Sequence, residues 1–281
     1  MLVSWLNFHL YSGCCTENIP AFKMIQRVLR RGLLRTNWYF LRNVDAFGFH
    51  VRLRLKAPAS PLSLPEWVPD SGEFKDFVRC FPPIQATGLE PLVPVPYPIT
   101  DVLQVPFVHE RNKFKTTSAW HRWQDYSFRS SLRLIDNQVL FADRRFRIGL
   151  GYSFLMALGD AIGDDFYHRG ELFWRERALS TLRLVPRDHI SRTVREVFAF
   201  QERFFSRGKN TILMPLMDSG GKTVPISLDW FPSWCQDFLD FYPFRGLQPD
   251  RSVAVAGAHL ELNRLGIDPV EEWLLYYLLS R

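Results

Sequence analysis

The segment NVDAFGFHVRLRLK, residues 43–56, sets His50, Arg52 and Arg54 on alternate positions of an otherwise apolar stretch. Side chains of a β-strand alternate between its two faces, so these three share one face. Val51, Leu53 and Leu55 then share the other. Two readings fit this pattern. One is a half-buried strand whose polar face meets water, the commoner meaning of such alternation. The other is a cationic shelf for carboxylates, since guanidinium groups bind them through paired, charge-assisted hydrogen bonds. The segment alone leaves both open.

Other stretches carry less. MDSGGKT (217–223) ends in the Gly-Lys-Thr of a phosphate-binding loop, but Leu216 stands where that loop requires glycine, so a surface turn is expected. GDAIGDDF (159–166) holds Asp164 and Asp165 side by side, and adjacent carboxylates rarely converge on one ligand; a helix terminus explains them. FVHERNKF (107–114) and AHLELNRLG (258–266) each fit a solvated strand or a helix end. No Ser-His-Asp arrangement can be assembled from spacing. Cys14, Cys15, Cys80 and Cys235 lack C-x-x-C spacing and a nearby histidine cluster, which argues for neither a zinc site nor a disulfide framework.

The elements that must position these residues can be read from periodicity. Residues 2–11 alternate as a first strand, with Leu2, Leu6, Phe8 and Leu10 on one side. TENIPAFKMIQRVLRRGLL (16–34) reads as a helix. Asn18 can cap it, Pro20 sits in its first turn, Phe22, Ile25, Val28 and Leu29 form its apolar face, and Gly32 ends it. WYFLR and FHVRLRLK follow as strands joined at NVDAFG. Residues 58–98 are proline-rich loops, and residues 118–163 turn to helical spacing that REVFAFQERFF (195–205) continues. The tail DPVEEWLLYYLLSR is a helix with Asp268 as cap, Pro269 opening it and Glu271 completing a capping box. The expected class is α+β, with a mixed or antiparallel sheet in the N-terminal half, helices packed on it, and a helix-rich C-terminal half.

The chain has 281 residues, 47% hydrophobic and 23% charged, with 24 Phe and 9 Trp, so its core should rest on rings. No apolar run is long enough to span a bilayer. The start, MLVSWLNFHLYSGCC, lacks a basic n-region and is interrupted by Asn7 and His9, which argues against a secretory signal and for a cytoplasmic protein. A net charge of +6 favours an acidic partner, but no nucleic-acid-binding motif accompanies it.

The order of the motifs adds what none of them carries singly. An aromatic strand (WLNFHLY), a helix, WYFLRNVD…FHVRLRL, FVHERNKF, QDYSFRSSLRL and AHLELNRLGI follow one another before a final helix. This series resembles the C-terminal elimination domain of lantibiotic dehydratases, the SpaB C-terminal family, whose stand-alone members belong to thiopeptide-type bacteriocin biosynthesis. The family pattern runs as aromatic strand, helix, WFFIRY-D…HLRLR, Y-PE..RYGG, E..F..DS and HMH-NRL-G. The resemblance covers the chain as one domain, 1–281. Carried over, it implies that Arg52 and Arg54 bind glutamate, that Lys113 stands for the arginine of RYGG, and that His259 is the motif histidine. Glu110 matches the carboxylate of PE, and Asn263 and Arg264 match the NR pair; with His50 these are the implied substrate contacts. Lys115 and Thr116 replace two glycines, Asp125 replaces glutamate, and Ser130 replaces aspartate. Lys113 keeps the charge but loses the bidentate fork.

In such dehydratases a separate domain esterifies Ser or Thr of a precursor peptide with glutamate from glutamyl-tRNA, and the elimination domain removes the glutamate to leave a dehydroamino acid. The resemblance therefore implies a lyase that uses no cofactor or metal. Its partners would be a precursor peptide, with leader and core, and a separately encoded, glutamyl-tRNA-dependent glutamylation protein. No direct nucleic-acid contact and no membrane are expected, and a homodimer is compatible with it. Arg52, Arg54, Lys113 and His259 would converge on one pocket. The alternative within the fold is a pyridine synthase, which joins two dehydroalanines in a formal [4+2] cycloaddition and releases the leader. A third reading, from another class, is a non-catalytic peptide-binding partner.

Overall fold

The structure, a computed structural model, describes residues 5–12, 19–30, 37–45, 48–56, 74, 100–105, 117–142, 144–163, 165–182, 211–215, 223–241 and 251–280. The chain divides into two compact units, Met1–Ile135 and Asp136–Arg281. The class is α+β: the first unit is built on an antiparallel sheet and the second is mainly helical. Among the described residues, no helix is long and apolar enough to cross a membrane.

The first unit contains strands β1 (Trp5–Ser12), β2 (Trp38–Asp45), β3 (Gly48–Lys56) and β4 (Thr100–Gln104), in the spatial order β2-β3-β1-β4. All three pairings are antiparallel. Phe8 and Leu10 of β1, Trp38 and Phe40 of β2, and Val51, Leu53 and Leu55 of β3 share one face by alternation, and all are buried. Helix α1 (Ile19–Arg30) covers that face. Its Phe22 meets Phe40 edge-on at 5.0 Å between ring centres, and the Arg42 guanidinium lies 4.6 Å from the Phe22 ring centre.

Helix α2 (Thr117–Asp136) protects the β2 edge. Phe128 touches Trp38 from one face of that strand, and Trp123 touches Tyr39 from the other. Between them the Phe40 backbone N–H donates to Ser131 Oγ at 3.3 Å. An open strand edge is a template for unwanted pairing, and a covering helix removes it. Strand β4, at the opposite edge, falls just past the proline-rich stretch and was not expected. It is short and partly exposed, so it lacks the alternation of a half-buried strand.

The second unit comprises a 3₁₀ turn at Val139–Phe141 and helices α3 (Arg144–Ile162), α4 (Asp165–Leu182), α5 (Phe231–Phe241), α6 (Arg251–Leu265) and α7 (Pro269–Leu279). It also has one antiparallel hairpin, β5 (Thr211–Pro215) and β6 (Thr223–Ser227). The C-terminal half is helix-rich as expected, the hairpin being an element that the sequence did not reveal, and the last residue of MDSGGKT, Thr223, opens β6. GDAIGDDF does mark a helix boundary: Gly163, at φ +105°, separates α3 from α4. REVFAFQERFF lies outside the described residues. Phe154 of α3 stacks on Trp234 of α5 at 4.5 Å and meets Phe238 edge-on. Gly170 lets α4 approach α7, since a Cβ there would overlap the ring of buried Tyr276. The carbonyl end of α6 is held by buried Arg147, whose Nη1 donates to Leu265 O at 2.5 Å.

The start of α7 carries the capping box the sequence indicates. Asp268 accepts from the N–H groups of Val270 and Glu271, and Glu271 accepts from the Asp268 N–H at 3.0 Å. Glu271 also takes Arg144 Nη2 at 2.6 Å and Nε at 3.1 Å. Burial pushes the Glu271 carboxyl up to about 7, with Arg144 pulling down and Asp268 pushing up. In the unfolded chain the group ionises near 4.5. Between those values the folded protein holds the extra proton, so this group's contribution to stability falls as pH rises through that window. Glu271→Gln keeps the box but cannot ionise. Chemical denaturation of both proteins should show the stability difference moving in the variant's favour from pH 4.5 to 7; a pH-independent difference would contradict this.

Candidate active site

The sheet face opposite α1 is polar. Register sets Asn7, His9 and Tyr11 of β1 opposite Arg54, Arg52 and His50 of β3, and Tyr39, Leu41 and Asn43 of β2 opposite the same three. The cationic residues read from the sequence therefore stand on one face, in the central strand pair. His50 is 0% exposed, stacked against His9 at 4.5 Å between ring centres and beside Tyr11 at 4.4 Å. His9 is tied along its own strand, to Asn7 at 3.3 Å and to the Tyr11 hydroxyl at 3.4 Å.

The two arginines differ. Arg54 is only 3% exposed; its Nη1 donates to the Tyr39 hydroxyl at 3.0 Å, and its guanidinium lies 5.6 Å from the centre of that ring. Arg52 is half-buried. The Asn43 amide, turned so that its oxygen faces the guanidinium, accepts from Arg52 Nε at 3.0 Å and from Nη2. His50 Nε2 lies 3.4 Å from the same amide. A rigid sheet thus holds one guanidinium inside and presents a second at its surface, with its orientation set by Asn43. Lys113 and Glu110 lie outside the described residues.

His259 belongs to the second unit, on α6. Its Nδ1 lies 2.8 Å from Glu272 Oε2 of α7, and the Trp174 ring of α4 packs on the imidazole at 4.6 Å. The His259 side chain is 28% exposed, whereas Glu272 is fully buried. Burial pushes the Glu272 carboxyl upward, with the charge of His259 and the Trp174 indole N–H pulling the other way. While ionised, Glu272 can only accept, which fixes the proton on Nδ1 and leaves Nε2 of the neutral ring as an acceptor. This is the arrangement of a positioned proton carrier.

Arg264 points elsewhere. It is 0% exposed and ion-paired with buried Glu261, which also accepts from Trp234 Nε1 at 3.3 Å. The ion pair lies within α6, and the Trp234 bond to Glu261 links that helix to α5. Asn263, beside it, is half-buried. Sequence reading missed Asn7, His9 and Tyr11, although WLNFHLYS carries the same alternation as β3. It also missed Asn43, Tyr39, Trp174 and Glu272, for which no local pattern exists. Glu272 sits next to a capping glutamate and looks like a solvated first-turn residue.

The family model described as "Lantibiotic biosynthesis dehydratase C-term" matches residues 5–281. A comparison with curated proteins finds no match. Among solved structures, the pyridine synthase TbtD from thiomuracin biosynthesis aligns with a TM-score of 0.52 and 15% identity, over 98% of this chain and 96% of that one. The tRNA-dependent lantibiotic dehydratase MibB from Microbispora sp. 107891 aligns with a TM-score of 0.47 and 14% identity, over 98% of this chain and 27% of that one.

The orientation of His259 is measurable without substrate. Nitrogen-resolved NMR of the imidazole should show the neutral ring protonated at Nδ1. In Glu272→Gln an amide N–H can donate to Nδ1 instead, so the Nε2-protonated form should gain population. Identical spectra for the two proteins would show that Glu272 does not set the tautomer.

Proposed function

We propose, from the premise that this chain belongs to the lantibiotic biosynthesis dehydratase C-terminal family, that it eliminates glutamate from glutamylated Ser or Thr of a precursor peptide. The observation that carries this reading is the Arg52 guanidinium, half-buried on a rigid sheet face and oriented by Asn43. Its chemistry suits a departing carboxylate, which a planar guanidinium meets with two parallel N–H···O bonds.

In the proposed reaction, His259 Nε2 takes the α-proton of the glutamylated residue, and the electron pair forms the Cα–Cβ double bond. The Cβ–O bond breaks, and glutamate departs as a carboxylate held by Arg52. Arg54, paired to Tyr39, adds positive charge behind it. Donors placed where charge develops lower the barrier because they need no reorganisation as the bond breaks. Glu272 keeps the ring in the tautomer that can accept the proton and stabilises the imidazolium formed. The glutamyl ester would be supplied by a separate glutamylation protein acting on the same precursor. Lys113 and Glu110 retain their proposed roles by resemblance, and His50 acts through its stack and the Asn43 amide.

A second reading, pyridine formation from two dehydroalanines, shares the fold and draws on the full-length alignment with TbtD. One experiment separates them. Given a peptide glutamylated on Ser or Thr, without tRNA or ATP, the protein should release free glutamate and leave a dehydroamino acid, as read by mass spectrometry. Arg52→Ala should slow release by about 10²–10³-fold, the usual loss for one such donor. Arg52→Lys should recover only part, since a point charge cannot make the paired contact. If the ester survives with the unaltered protein, while a peptide carrying preformed dehydroalanines becomes macrocyclic and sheds its leader, pyridine synthesis is the activity.

A further inference from the structure

Helix α7 sets two buried polar side chains behind His259. Glu272 and Tyr276 are one helical turn apart, so they share a face of the helix, and both are 0% exposed. Aromatic side chains on a helix lean toward its N-terminus, which carries the Tyr276 phenol back toward Glu272. Helix α4 closes over both. Phe166 meets the Tyr276 ring edge-on at 5.6 Å between centres, Gly170 gives that ring its space, and Trp174 packs on His259. These three α4 residues are also spaced one turn apart, so the two helices meet along a single seam.

Two polar atoms in this seam are left over by the fold. His259 Nδ1 takes Glu272 Oε2, but Glu272 Oε1 and the Tyr276 hydroxyl make no hydrogen bond among the described residues. Buried polar groups are nearly always satisfied, so an orphaned acceptor one turn from an orphaned donor calls for an explanation. The groups facing the Glu272 carboxylate are His259 from α6, Tyr276 from its own helix and the Trp174 indole from α4, which attracts it without closing a bond to it. Arg144 of α3 is directed to Glu271 and Asp268 instead. Among the described residues no permanent cation therefore holds Glu272 ionised, while its burial favours the neutral acid. A neutral acid would donate to Nδ1 and leave the ring proton on Nε2, where the base must be free.

We propose that Tyr276 is a positioning residue for His259: its hydroxyl donates to Glu272 Oε1 through one buried water and keeps that carboxylate in the form that accepts from Nδ1. A buried water needs two or more polar partners, and the seam supplies them. A donor to the ionised form of an acid favours that form. The phenol is suited to the task, because burial and the charge of Glu272 push its ionisation well above the usual tyrosine value. It remains a donor wherever His259 titrates. Tyr276 touches no substrate and acts through two other side chains. Its effect on the reaction rests on the elimination reading, whereas its effect on the imidazole does not.

Tyr276→Phe keeps the ring against Phe166 and Gly170 and removes only the hydroxyl. Nitrogen-resolved NMR of the full chain without substrate, followed against pH, reads the consequence. The variant should populate a neutral, Nε2-protonated His259, and the pH at which the Nδ1-protonated ring takes over should rise by about one unit, the worth of one hydrogen bond to a charged group. Tyr277→Phe, at the half-buried neighbouring position, should leave the titration unchanged. Identical titrations for Tyr276→Phe and the unaltered protein overturn the proposal. A second measurement needs no variant: the Tyr276 Cζ carbon resonance of the unaltered protein should follow the His259 titration, and a resonance flat across it also overturns the proposal. The glutamylated-peptide assay distinguishes the failures. Tyr276→Phe should slow glutamate release by about tenfold near neutral pH and lose that deficit as pH rises. Release by both proteins alike, with no shift in the titration, would discard Tyr276 and keep the reaction. A shifted titration with no release by the unaltered protein would keep Tyr276 and discard the reaction.

Discussion

The pairing register between β1 and β3 is the constraint on which the first unit depends. Asn7 faces Arg54, His9 faces Arg52 and Tyr11 faces His50. A slip of one residue would turn every side chain to the opposite face. Arg52, Arg54 and His50 would then press into the apolar layer where Phe22 meets Phe40, and Val51, Leu53 and Leu55 would face the polar side. An unpaired guanidinium buried among rings costs several kcal/mol, so the register is strongly specified. The same requirement that holds the sheet in place therefore holds the arginine-bearing face proposed as part of the site. Polar groups on this face also support one another: Tyr39 takes Arg54, Asn43 takes Arg52, and His9 and Tyr11 both pack on His50.

The second unit solves a related problem with carboxylates. Three glutamates, Glu261, Glu271 and Glu272, are fully buried on α6 and α7, and each has its own donors. Glu261 takes Arg264 and Trp234, and Glu271 takes Arg144 and the Asp268 N–H. The arginines are permanently charged cations; Arg144 ties α3 to α7, whereas Arg264 pairs within α6. Glu272 instead faces an imidazole that is open on its other side. Of the three, Glu272 alone is paired with an imidazole, a group able both to take up and to release a proton. The helices around it are fixed by close packing, Gly170 against Tyr276 and Phe154 against Trp234, so the ring has little freedom to turn.

Much of this was legible in the sequence because it follows from period and local chemistry. Alternation in β3 put Arg52 and Arg54 on one face, Asp268 and Glu271 announced the start of α7, and the order of motifs indicated the family. What escaped notice depends on contacts distant in sequence. DPVEEW shows which glutamate caps, but nothing in it says that its neighbour, turned about 100° around the helix, meets a histidine thirteen residues earlier. The division of labour between Arg52 and Arg54 was equally hidden, since the strand pattern gives both the same face and only Tyr39 and Asn43 tell them apart. Strand β4 and the β5–β6 hairpin are short, and short strands carry little periodic signal.

The central claim is that one elimination uses a proton carrier held by Glu272 and a carboxylate clamp held by Asn43. The measurement that tests it most directly is single-turnover glutamate release from a glutamylated peptide carrying deuterium at the α-carbon of the modified serine. Release should be slower than from the protonated peptide, and His259→Ala should abolish it while leaving peptide binding intact. Release at equal rates from the two peptides, unaffected by His259→Ala, would contradict the account.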